Sequence, residues 1–410
     1  MKALVLAGGF PQIELLKQLR ARGITTVLAD YYENPVAKPY ADIFYRESTL
    51  DIPAITQVAK KEKVDFLITC CTDQALLTVA RVSEELGLPC YIDHQTGLNV
   101  TNKQYMKQVF NRCGIPTAKH VIMGAFDESL ITEMDFPLIV KPVDCNSSKG
   151  VKRVENAQEL KQAVETAVRY SRTDTAIVEE FIDGEELSVD VYVEEGNAHV
   201  LSVSSLDKIS DNDKFVIFRG RYSAEKVAQV HDLVQNIAQK IADAFGLSNS
   251  PMLIQMITDG KRAFVLEFSA RTGGGVKFML IKKASGFDVI SAVIDLTLGK
   301  KPHVERCVPE NQYIVNEFIY CKPGVFDRLS GFEEMKAQGV ISEYCLFKWQ
   351  GAEFDTIENS GDRVGGFTIQ ADTLQELRNK HRQAVDGLQV LDIDGNDMMR
   401  RDLLTDMVFQ

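Results

Sequence analysis

Short apolar runs alternate with stretches of helical spacing through the first part of the chain. Lys2–Ala7 reads as a buried strand that ends in Gly8-Gly9, and Ile13–Arg22 carries helical spacing that Gly23 stops. Thr25–Ala29 is the next strand, closed by Asp30. Val64–Cys70 and Cys90–Ile92 read as strands with a helix, Ala75–Leu86, between them. Strands alternating with helices predict a parallel sheet with crossovers. Downstream the pattern predicts a helix over Asn102–Arg112, a strand Phe136–Val140 and a helix Ala157–Tyr170, then strands Ala176–Phe181 and Leu187–Val193. Near the end, Ile314–Cys321, Glu343–Trp349 and Gly366–Ala371 read as strands, and Phe332–Gln338 and Leu374–Gly387 as helices.

One stretch breaks the apolar logic. Met252–Gly275 reads as two strands joined by a turn at Asp259-Gly260. The second strand sets Glu267, Ser269 and Arg271 at every other position, on one face. An acid, a hydroxyl and a cation in a row suit a divalent metal beside an anion, because hard cations take oxygen ligands from one or two side chains plus substrate phosphates. Gln255 on the first strand joins that face only if the connecting loop through Asp259–Ala263 has odd length, since the side-chain period is two.

Composition narrows the class. The chain has 410 residues, 45% of them hydrophobic, and a net charge of −12. That acidity argues against a nucleic-acid or anionic-membrane footprint. The eight cysteines show no zinc spacing and read as free thiols of a reducing cytoplasm. The opening MKALVLAGGF is broken by glycine too early for a signal peptide, and no run is long enough to cross a bilayer.

Other local signals differ in strength. Gly8-Gly9 followed by Phe10-Pro11 lacks the full G-x-G-x-x-G, so a nicotinamide site is disfavoured despite Asp30. Lys103 and Lys107 lie one helical turn apart, a spacing that reads as a solvated face. Lys141 ends a buried strand, where an ammonium is costly unless an anion awaits it, and Asp144–Val151 after it offers small polar residues for a phosphate. Glu179, Glu180, Glu185 and Glu186 surround a strand break that suits a nucleoside slot. Lys208, Arg219 and Arg221 read as a solvated loop, Cys145 as a non-catalytic thiol, and Trp349 as core.

Taken together, the lysine strand with its small-residue loop, the acidic strand hinge and the Gln/Glu/Ser/Arg hairpin resemble the ATP-grasp superfamily, over roughly Met1–Lys300. The closing RVGGFTIQADTLQELRNKHRQAV is similar to the last segment of biotin-carboxylase-like relatives. The resemblance implies an α/β fold. It comprises a Rossmann-like pre-ATP-grasp domain (1–100), a small ATP-grasp lobe with the phosphate loop (101–185), a large lobe with the metal and substrate site (186–300) and a C-terminal α/β unit (301–410). It implies that Lys103 and Lys141 contact ATP phosphates and that the loop with Ser147, Ser148 and Gly150 closes over them. Glu179 stands at the adenine-pocket acid. Glu180, Phe181 and Ile182 supply hinge backbone to the base, and Glu186 takes the ribose hydroxyls. Gln255, Glu267 and Ser269 are the implied Mg²⁺ ligands, and Arg271 joins Lys141 as a catalytic cation. Gln255 and Ser269 depart from the usual carboxylate and asparagine.

The implied chemistry is an ATP- and Mg²⁺-dependent carboxylate–amine ligase, with Mn²⁺ as a substitute metal, acting through an acyl phosphate. Its partners are a small carboxylic acid and an amine, with no nucleic acid and no membrane, and a homodimer is common among such enzymes. The alternatives are a bicarbonate-activating or carbamoyl-phosphate-type enzyme, a non-catalytic ATP-binding regulator and, last, a dehydrogenase.

Overall fold

The computed structural model describes residues 1–145, 150–209, 215–305, 312–404 and 409. Four strands form a parallel sheet in the order Ile43–Arg46, Thr25–Asp30, Lys2–Leu6, Phe66–Ile68. Apart from the edge strand Ile43–Arg46, their residues are largely buried on both faces. Leu4, Leu6 and Val27 pack toward the helices Ile52–Glu62 and Asp73–Leu86. Ala3, Val5 and Leu28 pack toward the helices Phe10–Ala21 and Val289–Thr297. This double cover is why the strands read as continuous apolar runs. Asp51 starts the Ile52–Glu62 helix by accepting from the Ala54 N–H at 3.0 Å.

The expected strand at Cys90–Ile92 does not form. Three residues behind Pro89 are too few to pair, and Tyr91 instead reaches across to donate its hydroxyl to the Ala270 carbonyl at 3.1 Å. Ile43–Arg46 and Ile52–Glu62 escape the sequence pattern. The strand is a half-buried edge, and the helix carries only a short stripe at Ile55, Val58 and Ala59.

A second, antiparallel sheet runs His120–Met123, Ala176–Glu180, Leu138–Pro142, Lys152–Val154. The helix Ala157–Tyr170 covers one face through Leu160, Ala163, Val164 and Ala167. The third sheet is the largest. Its eight strands follow the order Ala263–Ser269, Ser250–Thr258, Glu185–Glu194, Asn197–Ile209, Val216–Ser223, Tyr313–Ile319, Gly365–Ala371, Glu343–Leu346. The sheet thus draws strands from both sides of residue 300. The 22-residue helix Ala224–Phe245 lays Val230, Val234, Ile237 and Ile241 on its face, and burial of that stripe rather than propensity holds the helix. A small sheet of Glu353–Phe354, Gly324–Ser330 and Gln389–Asp392 completes the C-terminal part. No described helix is long and apolar enough to cross a membrane.

Candidate active site

The hairpin explains how Gln255 and Glu267 come to face one another. Thr258 pairs with Ala263, so four residues connect the strands. The loop is even, not odd as the metal reading requires. Within the ladder, however, Gln255 pairs with Glu267 while Met256 pairs with Val265. A β-bulge at Leu266 supplies the extra residue and restores the shared face. The next strand adds Ser188 directly beside Gln255. Leu253, Gln255, Glu267, Ser269 and Ser188 all border one cavity of about 550 Å³.

That cavity lies between the four-stranded antiparallel sheet and the eight-stranded sheet. Among its lining residues are Lys103, Lys141, Glu179, Glu180, Phe181, Ile182, Glu186 and Arg271. The fold therefore gathers these sequence-selected positions at one place. Ser147 and Ser148 lie outside the described residues. Gly150 is described, at a φ of +73° with its backbone against Pro142 and Tyr170. A side chain there meets Pro142 at 2.9 Å, so glycine is needed on both counts.

The charges are tightly organised. Glu179 is buried, and its two oxygens lie 2.7 Å from Lys107 and 2.7 Å from Lys141. Burial alone raises a carboxyl pKa, but the two ammonium groups outweigh it and push Glu179 down to about 2. Burial lowers Lys107 to about 8 against the pull of Glu179. Lys107 also donates to the Thr117 hydroxyl, and its side chain is fully enclosed. The lysine read as a solvated residue is thus the hub of the site. Its one-turn spacing from Lys103 was the visible signal, but nothing in the sequence said which face of the helix looks inward.

Lys103 donates to the Cys145 carbonyl at 2.8 Å and lies 3.1 Å from Glu267. Burial raises the Glu267 pKa, while Lys103 and Lys141 overcome it, so the acid stays ionised. Arg271 forms a two-pronged pair with Asp73, its Nε donating to Oδ1 at 2.8 Å and Nη2 to Oδ2. Burial opposes the charge on Arg271, yet Asp73 raises its pKa. Asp73 opens the Asp73–Leu86 helix 198 residues away, a separation no local motif spans. Glu186 pairs with Lys208 at the cavity wall. Lys277 lies 3.3 Å from the buried Asp190 and donates to Ser204 at 3.0 Å.

At the strand hinge, the Glu180 and Phe181 amides donate to the Lys119 and Pro137 carbonyls at 3.0 Å each. The Ile182 amide has no partner among the described residues, and it borders the cavity. Arg153 lies 4.4 Å from the Phe181 ring centre. Cys145 donates its thiol to the Tyr170 carbonyl at 3.3 Å.

Two further readings change. Lys208, Arg219 and Arg221 do not sit in a solvated loop: Lys208 is on the Asn197–Ile209 strand, paired with Glu186, and both arginines are on the Val216–Ser223 strand, Arg219 buried against Glu317 and Asp207, Arg221 against Asp207 and Glu185. Trp349 is half-buried rather than core, packed on Tyr32 with ring centres 5.1 Å apart. Asp30 spends its carboxylate on its own turn, accepting from the Gly8 amide at 2.6 Å and the Tyr32 amide at 2.7 Å. A ribose would have to displace both bonds.

Comparison with known proteins agrees with this layout. The ATP-grasp domain family matches residues 134–279. The chain is 31% identical over 193 residues to a D-alanine--D-alanine ligase of Aromatoleum aromaticum, covering 46% of this chain and 62% of that ligase. It is 22% identical over 404 residues to a phosphoribosylamine--glycine ligase of Streptomyces coelicolor, covering 94% and 95% of the two chains. The crystal structure of an L-amino acid ligase from Bacillus licheniformis superposes with a TM-score of 0.78 at 20% identity, over 95% of this chain and 98% of that one. Two antiparallel sheets closing on one cavity are the two lobes of the ATP-grasp fold, and residues 134–279 of this chain match the ATP-grasp domain.

Proposed function

We propose that the protein is an ATP-dependent ligase that joins a carboxylic acid to an amine through an acyl phosphate, releasing ADP and phosphate. The observation that carries this reading is the lysine–carboxylate array along one cavity wall, Lys107–Glu179–Lys141 beside Lys103–Glu267. Glu179 holds two ammonium groups in fixed positions, and the pair retains net positive charge for a polyphosphate. The relatives named as ligases support the same chemistry.

The roles follow from charge and reach. Lys103 and Lys141 neutralise phosphate oxygens, and Arg271, held by Asp73, faces the transferring phosphoryl group. The Ile182 amide, without a partner among the described residues, donates to the base, and Glu186 accepts from ribose. The acid's carboxylate attacks the γ-phosphorus and ADP leaves. The amine then attacks the acyl carbon and phosphate leaves with one oxygen of the acid. Positioning and charge neutralisation dominate such a transfer, and no protein nucleophile is needed.

A divalent metal fits the residues present. Glu267, Gln255, Ser188 and Ser269 place oxygens at one wall. Among the described residues no cluster of three or more His, Cys, Asp or Glu forms a cage, which suits a metal whose shell is completed by phosphates. Glu267 and Gln255 would hold Mg²⁺, with Ser188 or Ser269 through water, and the metal would neutralise phosphate charge.

The test is a phosphate-release screen with ATP and Mg²⁺, using pooled carboxylic acids with and without pooled amines. Release that needs both an acid and an amine is the expected outcome. Release with bicarbonate alone, or none beside tight ATP binding, contradicts the ligase reading.

A further inference from the structure

Among the described residues seven lysines and arginines border the cavity; four of them face a carboxylate within it and Lys277 faces the buried Asp190 behind its wall. Lys348 and Arg363 do not. Lys348 is half-buried, and its ammonium has no ion-pair or hydrogen-bond partner among the described residues. Burial lowers its pKa, and the acid that opposes this, Asp362, spends one oxygen accepting from the Glu358 and Asn359 amides at 2.8 and 2.9 Å. Arg363 uses Nε on the Tyr320 hydroxyl at 2.9 Å, and Nη2 on the Ile217 carbonyl at 2.7 Å and the Ser360 hydroxyl at 3.2 Å. Its Nη1 has no partner among the described residues. An uncompensated cation withdrawn from water is costly unless an anion arrives to meet it.

The same end of the cavity is aromatic. Phe10, Phe318 and Phe347 line it, with Phe347 6.0 Å from Phe10 and 6.4 Å from Phe318 between ring centres. Arg363 stacks over Phe318 at 3.8 Å, which fixes its plane and leaves its edge for a ligand. Phe10 comes from the first helix and Phe347 from beyond the last strand of the large sheet, so the two ends of the chain build this wall together. Phe10 and Lys348 also border a neighbouring groove of about 560 Å³ that runs past Trp349.

We propose that this end of the cavity is a second anion subsite, in which Lys348 and Arg363 hold a carboxylate or phosphate of a substrate whose apolar, ring-bearing body lies on Phe10, Phe318 and Phe347. The inference rests on the ligase reading only for what the bound molecule is used for. It names the substrate class as an acid or amine that carries an additional negative charge beside a flat apolar group.

Trp349 is the single tryptophan and neighbours Lys348, so its fluorescence reports the subsite. The full-length protein is titrated with phenylacetate, phenyl phosphate, benzyl alcohol and inorganic phosphate, and calorimetry checks each affinity. Binding of one or both aromatic anions about tenfold or more tighter than benzyl alcohol is expected, a margin that a charged hydrogen bond supplies. Lys348→Gln removes that margin and Lys348→Arg restores it. A preference for phenyl phosphate assigns a phosphate, and a preference for phenylacetate a carboxylate. Benzyl alcohol binding as tightly as the anions, inorganic phosphate as tightly as phenyl phosphate, or no binding by any probe overturns the proposal. If Lys348→Gln fails to fold, the four wild-type titrations decide alone. An ADP titration of the same protein separates the two readings, because absent ADP binding defeats the ligase and leaves the anion margin to be judged by itself.

Discussion

At Glu179 one almost fully buried carboxylate serves two ammonium groups at the cavity wall. Removing one member of such a buried set leaves charge without a partner, a loss of about 3–5 kcal/mol. Glu179→Gln leaves Lys107 and Lys141 facing each other across a neutral amide, and urea unfolding at neutral pH should show a loss of that size. The pH dependence has a definite sign. Glu179 titrates near 2 in the folded protein and near 4.5 in the unfolded chain. Its contribution is present above pH 4.5 and is lost as pH falls toward 2. The stability gap between wild type and Glu179→Gln should therefore be widest above pH 4.5 and narrow below it; a gap that widens on acidification refutes the assignment. The sequence made Glu179 and Lys141 visible through their odd company, an acid in an apolar strand and a lysine ending another. It hid Lys107, because a charge on an amphipathic helix looks the same whether it faces water or a buried carboxylate.

Among the elements, the hairpin of the eight-stranded sheet and the hinge beside it set the site. Alternation along the second strand was legible for Glu267 and Ser269, but the strand ends at Ser269, so Arg271 reaches the cavity from the bend after it. Register was not legible, because the bulge at Leu266 arises from pairing with a strand rather than from a residue type that announces it. The hinge carries a sharper constraint at Gly184. A Cβ there falls 2.5 Å from the Thr258 carbonyl oxygen and 2.8 Å from Ile257 Cγ2. Gly184→Ala must push the hinge off the hairpin, at about 1–3 kcal/mol of overpacking. It should weaken ADP binding about tenfold, measured by calorimetry; unchanged affinity would show that the hinge does not position the nucleotide.

For the whole molecule, distant parts of the chain must meet for the site to exist. Asp73 belongs to the parallel-sheet unit and Arg271 to the bend that follows the hairpin strand. Asp73→Asn keeps the shape but removes the charge that orients the guanidinium. Turnover should fall about a hundredfold, as misplacement of a positioned group does, while ADP affinity changes little; equal turnover in steady-state assays would remove Asp73 from the account. Farther along the large sheet, Glu317 is fully buried between Arg219 and His381, with His381 Nε2 at 2.9 Å. The set joins two neighbouring strands to the Leu374–Gly387 helix. Glu317→Gln should lower stability by about 3–5 kcal/mol in urea unfolding. Neither contact was legible, because partners far apart in sequence carry no shared local pattern. The order of motifs was legible, and it sufficed to anticipate the fold.

The central claim is that an acid is activated by phosphoryl transfer before the amine attacks. Oxygen-18 in the carboxylate of the acid that the phosphate-release screen identifies tests it most directly. Mass spectrometry of the released phosphate should find one labelled oxygen per turnover, because the oxygen that attacks the γ-phosphorus leaves with it. Unlabelled phosphate beside a correctly formed amide would mean that ATP hydrolysis and bond formation proceed without an acyl phosphate, and would contradict the account.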